Sequence, residues 1–239
     1  MPGASVGVRP SIHVLSGGPY HPVAAQFAVL QEALSDRAEI SCYPGASAFD
    51  QLDACDLFVL AGMHWTDCAP DRHVWPEGVE PCSYTAPTDA QKQAFVEYVS
   101  SGRPVLGWHG GVASFDDWPE FGRLIGFRWD WRVTTHTEYA NWTITVEPTG
   151  HPVIAGVGDF ALDDELYCNV QITPGLDFVV HAWARYHEIR LPMTVTAEGG
   201  RIAGAGRTAF LANGHDLKTM ACESYRRVAV NTLMWLLAI

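Results

Sequence analysis

The stretch Arg103-Pro-Val-Leu-Gly-Trp-His-Gly-Gly-Val-Ala-Ser-Phe-Asp-Asp-Trp-Pro-Glu-Phe-Gly-Arg-Leu-Ile-Gly126 constrains the fold more than any other. Val105 to Trp108 is a short apolar run between Pro104 and Gly110-Gly111, which marks a buried strand and not a helix. Upstream, Asp89 to Val99 places Ala90, Ala94, Phe95, Tyr98 and Val99 on one helical face, and Ser101-Gly102 ends it with a residue suited to a left-handed cap. Helix, tight turn, buried strand and glycine-rich turn make one crossover unit of a parallel sheet. His109 falls where the strand ends, at the edge where open α/β sheets bind ligands.

The rest of the chain extends this pattern. Ser11-Ile-His-Val-Leu15 reads as a strand, Pro22 to Leu34 as a helix, and Ala38 to Tyr43 and Asp56 to Ala61 as strands two and three. Strands alternating with helices at this interval predict a doubly wound parallel sheet. No G-x-G-x-x-G follows the first strand, so nothing supports a dinucleotide site. Residues 62–88 form a long connection with four prolines, expected to be a functional loop over the same edge as His109. After a short helix at Trp118 to Leu124, the pattern changes. Phe127 to Thr135 and Glu138 to Val146 alternate by face, as half-exposed antiparallel strands do. Asp177 to Trp183, Leu191 to Val195 and Gly206 to Leu211 read as further strands, and 223–238 as a closing helix. With no repeat or linker, residues 1–239 are expected to form a single domain.

A formal net charge of -12, from 27 acidic and 15 basic residues, argues against binding to nucleic-acid backbones. No apolar run reaches membrane-spanning length and the N-terminus has no signal-peptide pattern, so a cytoplasmic protein with no membrane partner is expected. The six cysteines (Cys42, Cys55, Cys68, Cys82, Cys168, Cys222) form no C-x-x-C pair, and reduced thiols are the expectation; a Cys68–Cys82 bridge is the lesser alternative.

Several stretches in order resemble the trehalose-utilisation (ThuA-like) family, relatives of the class I glutamine amidotransferase fold. They are Gly17-Gly18 with His21-Pro22, Gly107-Trp-His-Gly-Gly111 with Trp118-Pro-Glu-Phe121, His151-Pro152, Asp164-Glu-Leu-Tyr167, and Gly214-His-Asp216 before a Trp-containing terminal helix. The set spans about residues 11 to 239. The resemblance implies an α/β, flavodoxin-like, mostly parallel sheet with helices on both faces and antiparallel additions. It also implies a role in carbohydrate utilisation, on trehalose or 3-keto-glycoside derivatives. Amidotransferases carry a Cys nucleophile at the elbow where this chain has His109, and none of its cysteines sits in a comparable turn. Glutamine hydrolysis is therefore not expected.

Four histidines follow strand ends: His21, His64, His109 and His215. Imidazoles there can exchange protons near neutral pH or ligate a transition metal. For His21 and His64 singly, a turn-capping role weighs evenly against function, whereas His109 and His215 lie in glycine-flanked turns that the family also matches. His136 is placed to reach the same pocket, and His13 reads as a core residue. Asp163-Asp164-Glu165 crowds like charges, which can raise one pKa and make a general acid; the family match selects Glu165. The expected catalytic residues are therefore His109, Glu165 and His215. His21, Trp65, Asp116, Trp118, His136 and Tyr167 are the expected substrate contacts. Most other tryptophans are expected in the core. His109, His215 and His21 are candidate ligands for a divalent transition metal such as zinc, although no self-sufficient metal motif is present.

These readings lead to a cytoplasmic carbohydrate-processing enzyme, a hydrolase, lyase or isomerase, with a small-molecule carbohydrate as its partner and a homo-oligomer as a candidate assembly. A non-catalytic sugar-binding or regulatory module on the same fold is the alternative. A metal-dependent amidohydrolase acting on a non-sugar substrate is a weaker third.

Overall fold

The computed structural model describes residues 9–20, 23–68 and 83–239. His21, Pro22, His73, Cys82 and the remainder of residues 69–82 lie outside them. The first half runs β1 (Ser11–Ser16), α1 (Val23–Leu34), β2 (Glu39–Pro44), β3 (Leu57–Leu60), α2 (Asp89–Ser100), β4 (Val105–Trp108) and α3 (Phe121–Ile125). The second half runs β5 (Phe127–Arg128), β6 (Thr135–His136), β7 (Ala140–Val146), β8 (Phe160–Asp164), β9 (Tyr167–Cys168), β10 (Gln171–Ile172), β11 (Val179–Tyr186), β12 (Ile189–Ala197) and β13 (Thr208–Leu211). Two helices, α4 (Leu217–Ala221) and α5 (Glu223–Leu237), close the chain.

Nine strands form one sheet in the order β2-β1-β3-β4-β13-β12-β11-β7-β8. The half from β2 to β13 is parallel, and the half from β13 to β8 is antiparallel. The expected α/β sheet with antiparallel additions is thus observed. β3, β4 and β13 are buried throughout, which explains their unbroken apolar runs. Helices cover both faces. Phe58 packs on Phe95 and Tyr98 of α2, while Trp108 packs on Phe27 of α1 and Tyr225 of α5. α2 begins at a capping box: the Thr88 side chain accepts Gln91 N–H, and the Gln91 side chain accepts Thr88 N–H.

The long strand expected over Phe127 to Thr135 is not formed. Only Phe127–Arg128 and Thr135–His136 pair, and Asp130 folds the stretch between them into a turn. Its carboxylate accepts the Arg132 N–H and guanidinium, and its carbonyl accepts Val133 N–H and Thr134 N–H. A short polar side chain that bonds its own downstream backbone competes with the ladder, and here it wins. The reduced-thiol expectation is corrected at one position: Cys68 is disulfide-bonded, while Cys42, Cys55, Cys168 and Cys222 are free. Among the described residues, no helix is long and apolar enough to cross a membrane.

Candidate functional site

β4 ends at His109, which adopts a left-handed backbone with φ of 42°. Few non-glycine residues accept this conformation, and such outliers gather at functional sites. The turn beyond it passes so close to β3 that a Cβ on Gly111 would lie 1.9 Å from the Leu60 carbonyl oxygen, so only glycine fits. His109 is 1% exposed, and its Nδ1 lies 2.6 Å from the carbonyl oxygen of Ala212 just beyond β13. A carbonyl only accepts, so Nδ1 carries the proton and Nε2 points the other way.

In that direction lies Glu165, in the break between β8 and β9. Its Oε1 is 3.4 Å from His109 Nε2 and 3.6 Å from His215 Nδ1, and its Oε2 is 3.1 Å from His136 Nδ1. Three elements distant in sequence supply these imidazoles: the β4 elbow, β6, and the loop after β13. The Tyr167 ring stacks on His109 with centroids 4.4 Å apart, and His136 is register partner to Tyr167 across β6 and β9.

Burial works against the Glu165 carboxylate, but His109, His215 and His136 outweigh it and hold its pKa below the ordinary range. A general acid with a raised pKa is therefore not what Glu165 provides, which corrects the like-charge expectation. The raised carboxyl is its neighbour: burial pushes Asp164 up, against the opposing effect of His109 and of the Gly214 and Glu165 N–H groups. Burial disfavours the His215 cation, yet Glu165, Asp164 and Asp216 raise its pKa above the ordinary value.

A pocket of about 350 Å³ opens over this centre, lined by Tyr20, Met63, Trp65, Ala113, Trp129, Trp131, His136, Glu165, Tyr167 and His215. Its walls are mostly aromatic. Trp65 stacks on Tyr20 with centroids 6.1 Å apart and on Trp131 at 5.6 Å. One charged carboxylate at the base of an apolar pocket is the usual construction of a small-molecule site.

The structure brings together His109, Glu165, His215, His136, Tyr167 and Trp65. His109 does not line the pocket; it stands behind Glu165. Trp118 and Asp116, expected as substrate contacts, are elsewhere. Trp118 packs among Phe49, Phe95 and Phe121 in the core, and Asp116 accepts the Thr66 N–H and hydroxyl, both at 2.8 Å. His64 is structural: Nε2 meets the Ser16 carbonyl at 2.9 Å, and the ring stacks on Phe115. His13 is buried against Tyr43, as expected of a core residue. His21 lies outside the described residues. Trp131, read from sequence as core, is 42% exposed and lines the pocket, while Trp129 is buried in the core as expected and presents part of its ring to the pocket. Asp164 belongs to the acidic run and to the Asp164-to-Tyr167 stretch that resembles the family, but is not among the expected site residues. It is fully buried, its carboxylate accepting Gly214 N–H and Glu165 N–H at 2.8 Å each, and with His109 and His215 it offers donor atoms within 4.8 Å of one another. Alternation at β8 (Asp163 out, Asp164 in) was the signal that could have found it.

An open α/β sheet, parallel in one half and antiparallel in the other, with a left-handed elbow after a central strand, is of the glutamine amidotransferase-like fold. The chain belongs to the ThuA family, described as trehalose utilisation, whose model matches residues 74–236. A protein described as ThuA-like from Parabacteroides merdae has a similar structure, with a TM-score of 0.71 at 18% identity over 96% of this chain and 90% of that one. A second, from Bacteroides uniformis, gives 0.66 at 14% identity over 99% and 95%. PurLQS from Thermotoga maritima gives 0.52 at 15% identity over 96% and 100%. A search of curated proteins by sequence returns no match.

Proposed function

We propose that this pocket binds a carbohydrate derivative carrying a ketone and that His136 transfers protons on it, oriented and charged by Glu165. The observation that carries this reading is the His136–Glu165 contact. The Nδ1 of His136 faces both Glu165 Oε2 at 3.1 Å and the Thr137 carbonyl at 2.9 Å, two acceptors, so the proton sits on Nδ1. Nε2 then carries the lone pair, on a ring whose side chain is 53% exposed and which lines the pocket. A carboxylate behind an imidazole fixes the tautomer and stabilises the imidazolium that forms when it accepts a proton. His109 and His215, on the other oxygen of Glu165, keep that carboxylate ionised and in place.

A proton on the carbon beside a ketone is the natural target. When His136 Nε2 takes it, the bonding pair moves to the carbonyl oxygen. Where that carbon bears a hydroxyl, transfer of the hydroxyl proton to the former carbonyl oxygen and return of the carbon proton to the former carbonyl carbon isomerise the sugar; departure of a substituent, with its bonding pair, from the next carbon completes an elimination. The aromatic walls suit the apolar faces of a sugar ring, and the family description, trehalose utilisation, favours a sugar over other carbonyl compounds. Turnover of 3-keto-glycosides by the wild-type protein, lost in His136→Gln, tests the reading. A protein that binds such sugars but leaves every one unchanged would instead be a binding module.

A further inference from the structure

We infer that His109, His215, Glu165 and Asp164 form a binding site for one divalent transition metal of the zinc type, at the base of the pocket. The inference rests on the pocket reading above and adds a resident ion to it.

Three observations point the same way. The first is distance. Glu165 Oε1 lies 3.4 Å from His109 Nε2 and 3.6 Å from His215 Nδ1. A charge-assisted hydrogen bond between such groups spans about 2.7–2.9 Å. Ligands at about 2.0–2.2 Å from a tetrahedral zinc stand about 3.3–3.6 Å apart. Both contacts are long for a shared proton and match the edges of a coordination polyhedron.

The second is proton inventory. The Ala212 carbonyl oxygen, 2.6 Å from His109 Nδ1, requires the proton on that nitrogen. The Nε2 of the same ring faces the Glu165 carboxylate at 3.4 Å. A metal-bound histidine almost always donates its second N–H to a backbone carbonyl or a carboxylate, which is the arrangement His109 makes.

The third is the donor set. The buried carboxylate of Asp164 has an oxygen within 4.8 Å of ligand atoms of both His109 and His215. Two imidazoles with carboxylate oxygens suit zinc and its neighbours and do not suit calcium or magnesium, which favour oxygen alone. Backbone N–H groups of Gly214 and Glu165 already hold the Asp164 oxygens, so the ligand is oriented before an ion arrives. Glu165 becomes the link between ion and base, one oxygen toward the metal and the other toward His136. At that position the ion supplies a Lewis acid for the oxygen of a bound ketone.

The test loads the full-length protein, purified without chelating resin, with zinc chloride, removes free ion by gel filtration, and measures zinc by mass spectrometry. Cobalt(II) replacement reports coordination geometry by its visible spectrum. Near-stoichiometric zinc in the wild type is expected, with affinity lower by about 100-fold or more in His215→Ala and Asp164→Asn, and retained in His136→Gln. Circular dichroism confirms that each variant is folded. Two variants on separate elements keep the test open if one of them fails. Wild-type protein that holds no zinc, or folded His215→Ala and Asp164→Asn proteins that hold it as tightly, would overturn the inference. Keto-glycoside turnover on the same samples separates the two readings: turnover by wild-type protein that holds no zinc after loading overturns the metal alone, while bound zinc without turnover or sugar binding overturns the sugar reading alone.

Discussion

Asp164, at the end of the outermost strand of the sheet, accepts the backbone N–H of Gly214, in the loop after β13, at 2.8 Å. This bond joins the far edge of the antiparallel half to the turn that carries His215. The next residue, Glu165, therefore reaches an elbow built by the parallel half. Gly214 has φ of 126°, and a Cβ there would lie 2.0 Å from Trp108 Nε1. Gly214→Ala should cost more than about 3 kcal/mol of stability, because neither backbone nor the buried tryptophan can give way. Urea unfolding measures it; a midpoint unchanged from wild type would contradict the close approach.

His136 is half-exposed, so removing it should affect chemistry and leave packing intact. His136→Gln is expected to lower kcat by about 10²–10⁴, the usual share of a general acid or base. Its thermal midpoint should match the wild type. A fall in stability with kcat preserved would make His136 structural.

Trp131 extends the aromatic wall beyond the proton-transfer centre. Trp131→Ala should raise KM about tenfold, or about 1.4 kcal/mol of uniform binding, and leave kcat nearly unchanged. Steady-state kinetics on a disaccharide substrate separate this from a catalytic defect, in which kcat would fall instead.

His181, on β11 and remote from the pocket, is fully buried between Thr149 Oγ1 at 2.9 Å and Thr196 Oγ1 at 2.7 Å. It stacks on His151, whose pKa burial also lowers. Burial, aided by the His151 charge, lowers the His181 pKa from 6.5 to about 4. The unfolded chain thus binds this proton more readily than the folded one. The neutral ring's stability is complete above pH about 6.5 and is lost as pH falls toward about 4, a loss of about 3 kcal/mol. Unfolding midpoints across that window should slope downward in acid for the wild type and more gently for His181→Gln. Equal slopes would contradict the assignment.

The parallel half was legible in sequence because burial on both faces leaves unbroken apolar runs, as at Leu57 to Leu60 and Val105 to Trp108. His109 was legible for the same reason: a glycine-flanked residue at a strand end has few alternatives. The turn at Asp130 was not, since its local hydrogen bonds compete with an alternation that reads equally well as a strand. That turn placed Trp129 and Trp131 in the pocket, while Trp118, beside a helix start, went into the core. Asp164 was hidden for a different reason. Alternation along β8 turns its side chain inward, but its partner Gly214 lies 50 residues away, and nothing near Asp164 in sequence records that contact.

Proton transfer by His136 beside a sugar ketone leaves a direct signature in the substrate. The most direct measurement follows 3-keto-glycosides by proton NMR in deuterium oxide, with wild-type and His136→Gln proteins side by side. Loss of the signal from the hydrogen next to the ketone, by exchange or turnover, is expected with the wild type, and its persistence with the variant. A signal that persists with the wild type, or is lost equally fast with both, would contradict proton transfer by His136.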